Sequence, residues 1–91
     1  MIALWKVRVA KIDGTVSVYD VSPRVIVAFE RNFKTGLAQA FAKEQKYEHT
    51  FWLAWEAEKQ SGAVVKPFDS WLEGVAGVDV DVEKLPFDET V

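Results

Sequence analysis

Residues 4–23 read LWKVRVAKIDGTVSVYDVSP, and the order of elements in the fold is read from this stretch. From Leu4 to Val9 apolar and charged residues alternate, with Trp5, Val7 and Val9 against Lys6 and Arg8, which is the two-residue period of a half-buried strand. Asp13-Gly14 is a favoured tight-turn dipeptide and Thr15 to Val21 is a second β-rich run, so the chain opens with a β-hairpin. A loop of Asp13-Gly14-Thr15 sets Val9 opposite Tyr19, Val7 opposite Val21 and Arg8 opposite Asp20; a two-residue loop sorts the side chains less well and stays open. Ser22-Pro23 then starts a helix, because the serine hydroxyl accepts from the first free amides and proline is tolerated at the first helical position.

Beyond Pro23 the apolar residues Val25, Phe29, Phe33, Leu37 and Phe41 recur every four positions and form one face of a helix. Thr35-Gly36 interrupts this stripe, so the helix either ends near Lys34 and restarts at Leu37 or kinks there. After the charged stretch Lys43 to Lys46, a further helix is marked by Tyr47, Phe51, Ala54, Trp55 and Glu58, with Trp52 and Leu53 widening its apolar face, and it stops at Gly62. Val64-Val65-Lys66-Pro67 is an extended link, since a residue before proline is pushed out of helical geometry. Asp69 or Ser70 opens a short helix carrying Phe68, Trp71, Leu72 and Val75 at helical spacing.

The fold class expected is therefore α+β: an N-terminal β-hairpin, two or three α-helices, and an acidic C-terminal tail. Residues 1–78 form a single small domain and residues 79–91 the tail. Val78-Asp79-Val80-Asp81-Val82-Glu83 alternates in a way that also suits an edge strand, but its charge and the following Pro86 favour a mobile tail. On this reading, truncation after Val78 leaves the fold nearly as stable as before.

Composition bounds the function. A chain of 91 residues with 49% hydrophobic content, four Trp, six Phe and two Tyr makes one domain, and self-association would add stability to so small a core. There is no cysteine, hence no disulfide framework, thiolate nucleophile or cysteine metal site, which fits a reducing cytosol. The opening MIALWKVRVA lacks the features of a signal peptide, and no apolar run is long enough to span a bilayer. The net charge of −3 divides into an excess of cations up to residue 66 and of carboxylates after it, without the cationic stripe that nucleic acid requires.

Catalytic chemistry is sparse. His49 is the single histidine and reads as a solvent-exposed helix position; no phosphate-binding loop, nucleophile elbow or H-E-x-x-H pattern is present, and no cofactor is expected. Asp79, Asp81 and Glu83 would share a strand face, but the interleaved valines and missing glycine do not make a calcium loop. The surplus lies in the aromatics Tyr47, Phe51, Trp52, Trp55, Phe68 and Trp71, taken here as the partner-binding candidates. Phe51, Trp55 and Trp71 also suit a helix-on-helix core. Trp52, about 100° around the helix from Phe51, is either a core residue or an exposed anchor.

The ordered set of a hairpin, then AFERNFKTGLAQAF (residues 28–41), FWLAWEA (51–57) and PFDSWLEGV (67–75), resembles the short tail assembly chaperones of long-tailed, siphovirus-type bacteriophages, over roughly residues 15 to 82. The resemblance implies a non-enzymatic protein that binds the tape measure protein, keeps it soluble, promotes assembly of the tail tube around it, and leaves before the virion is mature. It further implies action in the host cytoplasm, contact with tail tube protein, and a longer frameshifted form as a possible partner. The alternative is a structural virion part, such as a head-tail connector or tail completion protein. A small enzyme or ligand-binding domain would need a polar pocket that these residues do not supply.

Overall fold

The hairpin closes one residue earlier than the spacing suggests. In the computed structural model, which describes residues 3–44 and 46–84, strand β1 (Ala3–Lys11) pairs antiparallel with β2 (Val16–Val21). The Lys11 N–H donates to the Thr15 carbonyl at 2.8 Å, so the loop is Ile12-Asp13-Gly14, with Gly14 at φ 94° where a side chain would be strained. Val7 therefore faces Tyr19 and Val9 faces Ser17, which corrects the expected pairing of Val9 with Tyr19. The slip is two positions, so every side chain keeps its face, and sorting by face cannot tell the two registers apart. Local bonds decide between them. Asp13 Oδ1 accepts the Thr15 N–H at 2.9 Å, and this bond holds the Asp13 carboxyl below the usual carboxylate range. That contribution is present above the unfolded-state pKa and is lost as pH falls through the lowered value.

Helix α1 (Pro23–Phe33) starts as read, with Ser22 Oγ accepting the Val25 N–H and Pro23 in the first turn. It ends at Lys34, which takes a left-handed conformation (φ 56°) and donates its N–H to the Glu30 carbonyl. The chain restarts as α2 (Leu37–Gln39), which widens into a π turn over Ala40–Glu44. Glu30 Oε2 accepts the Leu37 N–H at 3.0 Å, so α1 itself caps the helix that follows it. α3 (Tyr47–Gln60) and α4 (Phe68–Leu72) complete the helical layer.

The main correction is at the C-terminal end. Val75–Lys84 is a third strand, β3, antiparallel to β1, and the sheet order is β2-β1-β3. Residues 79–84 are thus part of the sheet and not of a tail; residues 85–91 of the expected tail lie outside the described residues. The reason is complementarity with β1. Arg8 pairs with Asp79 and Lys6 with Asp81 on one face, while Val7 pairs with Val80 and Val9 with Val78 on the other. The carboxylates that suggest a solvated tail are met by cations, with Arg8 at 3.4 Å from Asp79 and 3.9 Å from Asp81. A bulge lets Lys11 face Val75 immediately after Ala10 faces Gly77, which turns Val75 to the same side as Val78 and Val80.

Helices cover one face of this sheet and leave the other open. Val7 and Val9 are fully buried beneath them with Val25, Phe29, Leu37, Leu53, Ala54 and Trp71. The mixed α+β class, with a hairpin followed by helices, is the class read from the sequence.

Candidate polypeptide-binding surface

α3 occupies the middle of the helical layer, and its two faces differ in side-chain size. The buried face carries His49, Leu53, Ala54, Glu56, Ala57 and Glu58. The large aromatics lie elsewhere. At about 100° per residue, Phe51, Trp55 and Trp52 span an arc of about 100° on the opposite side, each only partly buried. The periodicity places the helix, but large apolar residues occur on both of its sides, so it does not say which side turns inward.

The rings on this outward face are held from beneath and from the side. Trp52 packs edge-on to Phe33 at 5.5 Å and Phe29 at 6.0 Å, and lies 5.8 Å from Trp55. Trp55 meets Phe68 of α4 at 5.7 Å, and Phe68 stacks on Trp71 at 6.3 Å. The Trp55 indole N–H donates to the Lys66 carbonyl at 2.8 Å, and the Lys59 ammonium sits 4.4 Å from the ring centre. A row of contacting rings thus runs from α1 across α3 to α4. Trp52 is neither a bare anchor nor a fully enclosed core residue: it packs on Phe29, Phe33 and Trp55 and stays partly exposed.

The six candidates are not equivalent. Phe51, Trp52, Trp55 and Phe68 share the partly exposed band. Tyr47, 81% exposed, stands at the start of α3 and lines a groove beside β3 with Phe41 and Phe51. Trp71 belongs to the core, 4% exposed. Phe33 and Phe41, read as stripe residues only, join the ring cluster through Phe29, at 4.6 and 6.0 Å, and Phe33 also meets Trp52.

His49 also differs from its expected exposed position. It is 4% exposed and packs edge-on to Phe33 at 4.6 Å and Phe29 at 5.4 Å, so it serves as a core ring. Among the described residues, no group of three His, Cys, Asp or Glu side chains is placed to hold a metal ion, and no helix is long and apolar enough to cross a membrane.

One buried charge cluster supports the surface from below. Glu58, 7% exposed, lies 3.4 Å from the Lys11 ammonium through Oε1, which also accepts the Trp71 indole N–H at 3.3 Å. Lys11 sits over the Trp71 ring at 5.3 Å. This set ties the end of β1 to α3 and α4. Glu58→Ala is expected to cost about 3 kcal/mol in urea-induced unfolding, because it strands a partly buried ammonium and an indole N–H together. A loss below about 1 kcal/mol would mean that water replaces the carboxylate without penalty. Glu56 is also buried and is bonded by Lys59 at 3.1 Å and Gln60 at 2.6 Å, one turn before the helix ends.

Comparison of the chain with family models, curated proteins and solved structures gives no match.

Proposed function

We propose that this protein is a binding module for another polypeptide, acting as a tail assembly chaperone of a long-tailed bacteriophage. Its partner is the tape measure protein, which it keeps soluble in the host cytoplasm while tail tube subunits assemble around it, and it departs before the virion matures. The observation that carries this reading is the orientation of α3: Leu53, Ala54 and Ala57 are buried, while Phe51, Trp52 and Trp55 on the other side are only partly buried, with Phe68 against Trp55. Large rings that are packed against neighbours and stay partly exposed offer wide apolar contact at little entropic cost. Such a face suits the apolar side of a partner helix laid across it.

The test must separate lost binding from lost stability. Phe51→Ala and Trp55→Ala are each expected to cost about 1–2 kcal/mol of stability, and to abolish solubilisation of co-expressed tape measure protein at temperatures where the variants remain folded. Leu53→Val, on the buried face of the same helix, costs about 1 kcal/mol and leaves solubilisation intact. Equal behaviour of all three variants would reduce the outward rings to ordinary core residues. If the wild type fails to solubilise the tape measure protein and is present stoichiometrically in mature virions, the head-tail connector reading replaces this one.

A further inference from the structure

Among the described residues the sheet has a free edge at β3, and the hydrogen-bonding phase of that edge follows from the hairpin. Because Lys11 donates to Thr15, β1 turns the backbone groups of its odd-numbered residues to β2 and those of its even-numbered residues to β3. Lys6 and Arg8 therefore bond Asp81 and Asp79, and the N–H and C=O groups of Val78 and Val80 point away from the sheet. A groove of about 430 Å³ runs along this edge, with residues 77–80 on one side and Phe41, Tyr47 and Phe51 on the other. On the open face of the sheet, Lys6 lies 3.8 Å from Asp20 and Arg8 stands between Asp79 and Asp81, whose side chains remain 68% exposed, so two cations face three carboxylates.

We infer that β3 accepts an extended polypeptide segment of alternating apolar and basic residues as a fourth strand. The outward backbone groups of Val78 and Val80 supply the ladder. Partner residues opposite these two valines point into the groove against Phe41, Tyr47 and Phe51, and partner residues opposite Asp79 and Asp81 lie on the open face, where a lysine or arginine meets the carboxylate that Lys6 and Arg8 together leave in excess. The other side of β3 already has this arrangement: Trp5-Lys6-Val7-Arg8 presents apolar residues to the helices and cations to the same two aspartates. The edge shares Tyr47 and Phe51 with α3 but not Trp52, Trp55 or Phe68, and it binds an extended segment where the outward face takes a helix. The inference therefore goes beyond the chaperone reading and stands independently of it.

The experiment is titration of the full chain with a short synthetic peptide alternating valine and lysine, followed by calorimetry or by tryptophan fluorescence. Binding is expected, weakening steeply with salt, and a peptide with glutamate in place of lysine should not bind. Replacing Asp79 and Asp81 together by asparagine is expected to weaken binding about tenfold at low salt. Val80→Pro removes an outward N–H without touching the ladder to β1 and is expected to abolish binding. Should that variant fail to fold, methylation of the peptide amides that face β3 makes the same test with the protein untouched, and methylation of those that face away should leave affinity unchanged. The inference is overturned by absent binding, by equal binding of the glutamate peptide, or by indifference to the position of the methyl groups. A chain that instead pairs with itself, as a dimer that the peptide does not dissociate, also overturns it.

Discussion

Ending the chain after Val78 is expected to cost about 4 kcal/mol or more and to lower the melting midpoint by about 15 to 30 °C. The cut removes the partners of Arg8, Val7 and Lys6 at Asp79, Val80 and Asp81, and β1 changes from a central strand to an edge. Each lost ladder bond contributes about 1 kcal/mol net, and Val80 loses a partly buried side chain worth a similar amount. The fully buried Val7 then has no neighbour on one side. A chain of 91 residues has about 5–14 kcal/mol in total, so this loss leaves little margin. Thermal unfolding followed by circular dichroism measures it, and a chain ending after Lys84, which keeps β3 whole, is the comparison that isolates residues 79–84. A midpoint within about 5 °C of the full chain would return the segment to the status of a tail.

Phe29→Ala is expected to destabilise by about 3 to 5 kcal/mol. Phe29 is fully buried and stands at the centre of the ring cluster, with Phe33 at 4.6 Å, His49 at 5.4 Å, and Phe41 and Trp52 both at 6.0 Å. Stiff rings anchored in four separate turns of helix do not collapse readily into the space it vacates, which puts the cost near the top of the range for aromatic truncation. The same change loosens the support of Trp52, so its fluorescence should shift to the red even in the fraction that stays folded. Phe29→Leu keeps much of the volume and is expected to cost about 1.5 kcal/mol. Chemical denaturation with tryptophan emission as the readout distinguishes the two. A cost below about 1 kcal/mol for Phe29→Ala would mean that these rings do not form one packed cluster.

Much of the fold was legible because the signals act within a few residues. The Ser22-Pro23 start of α1, the break between Lys34 and Leu37 and the α3 pattern each depend on bonds or periodicities inside one element and stand where the sequence placed them, while the Asp13-Gly14 turn is present with its loop one residue earlier. The candidate site was legible in part. Four of its six residues share one partly exposed band, because helical spacing brings Phe51, Trp52 and Trp55 onto one side and α4 adds Phe68.

What the sequence determined by itself, then, is which segments are strands and helices at the N-terminal end, where they start and stop, and that aromatic residues exceed the needs of a small core. Only the tertiary structure decided that β3 exists, which side of α3 turns inward, and that His49 and Trp71 are enclosed. The physical reason is the distance along the chain over which those choices are made. Asp79 alternating with valine looks solvated until Arg8, 71 residues earlier, is set opposite it. Likewise α3 carries apolar residues on both sides, and its packing against the sheet and α1 buries the side with Leu53, Ala54 and Ala57, which leaves Phe51, Trp52 and Trp55 partly exposed.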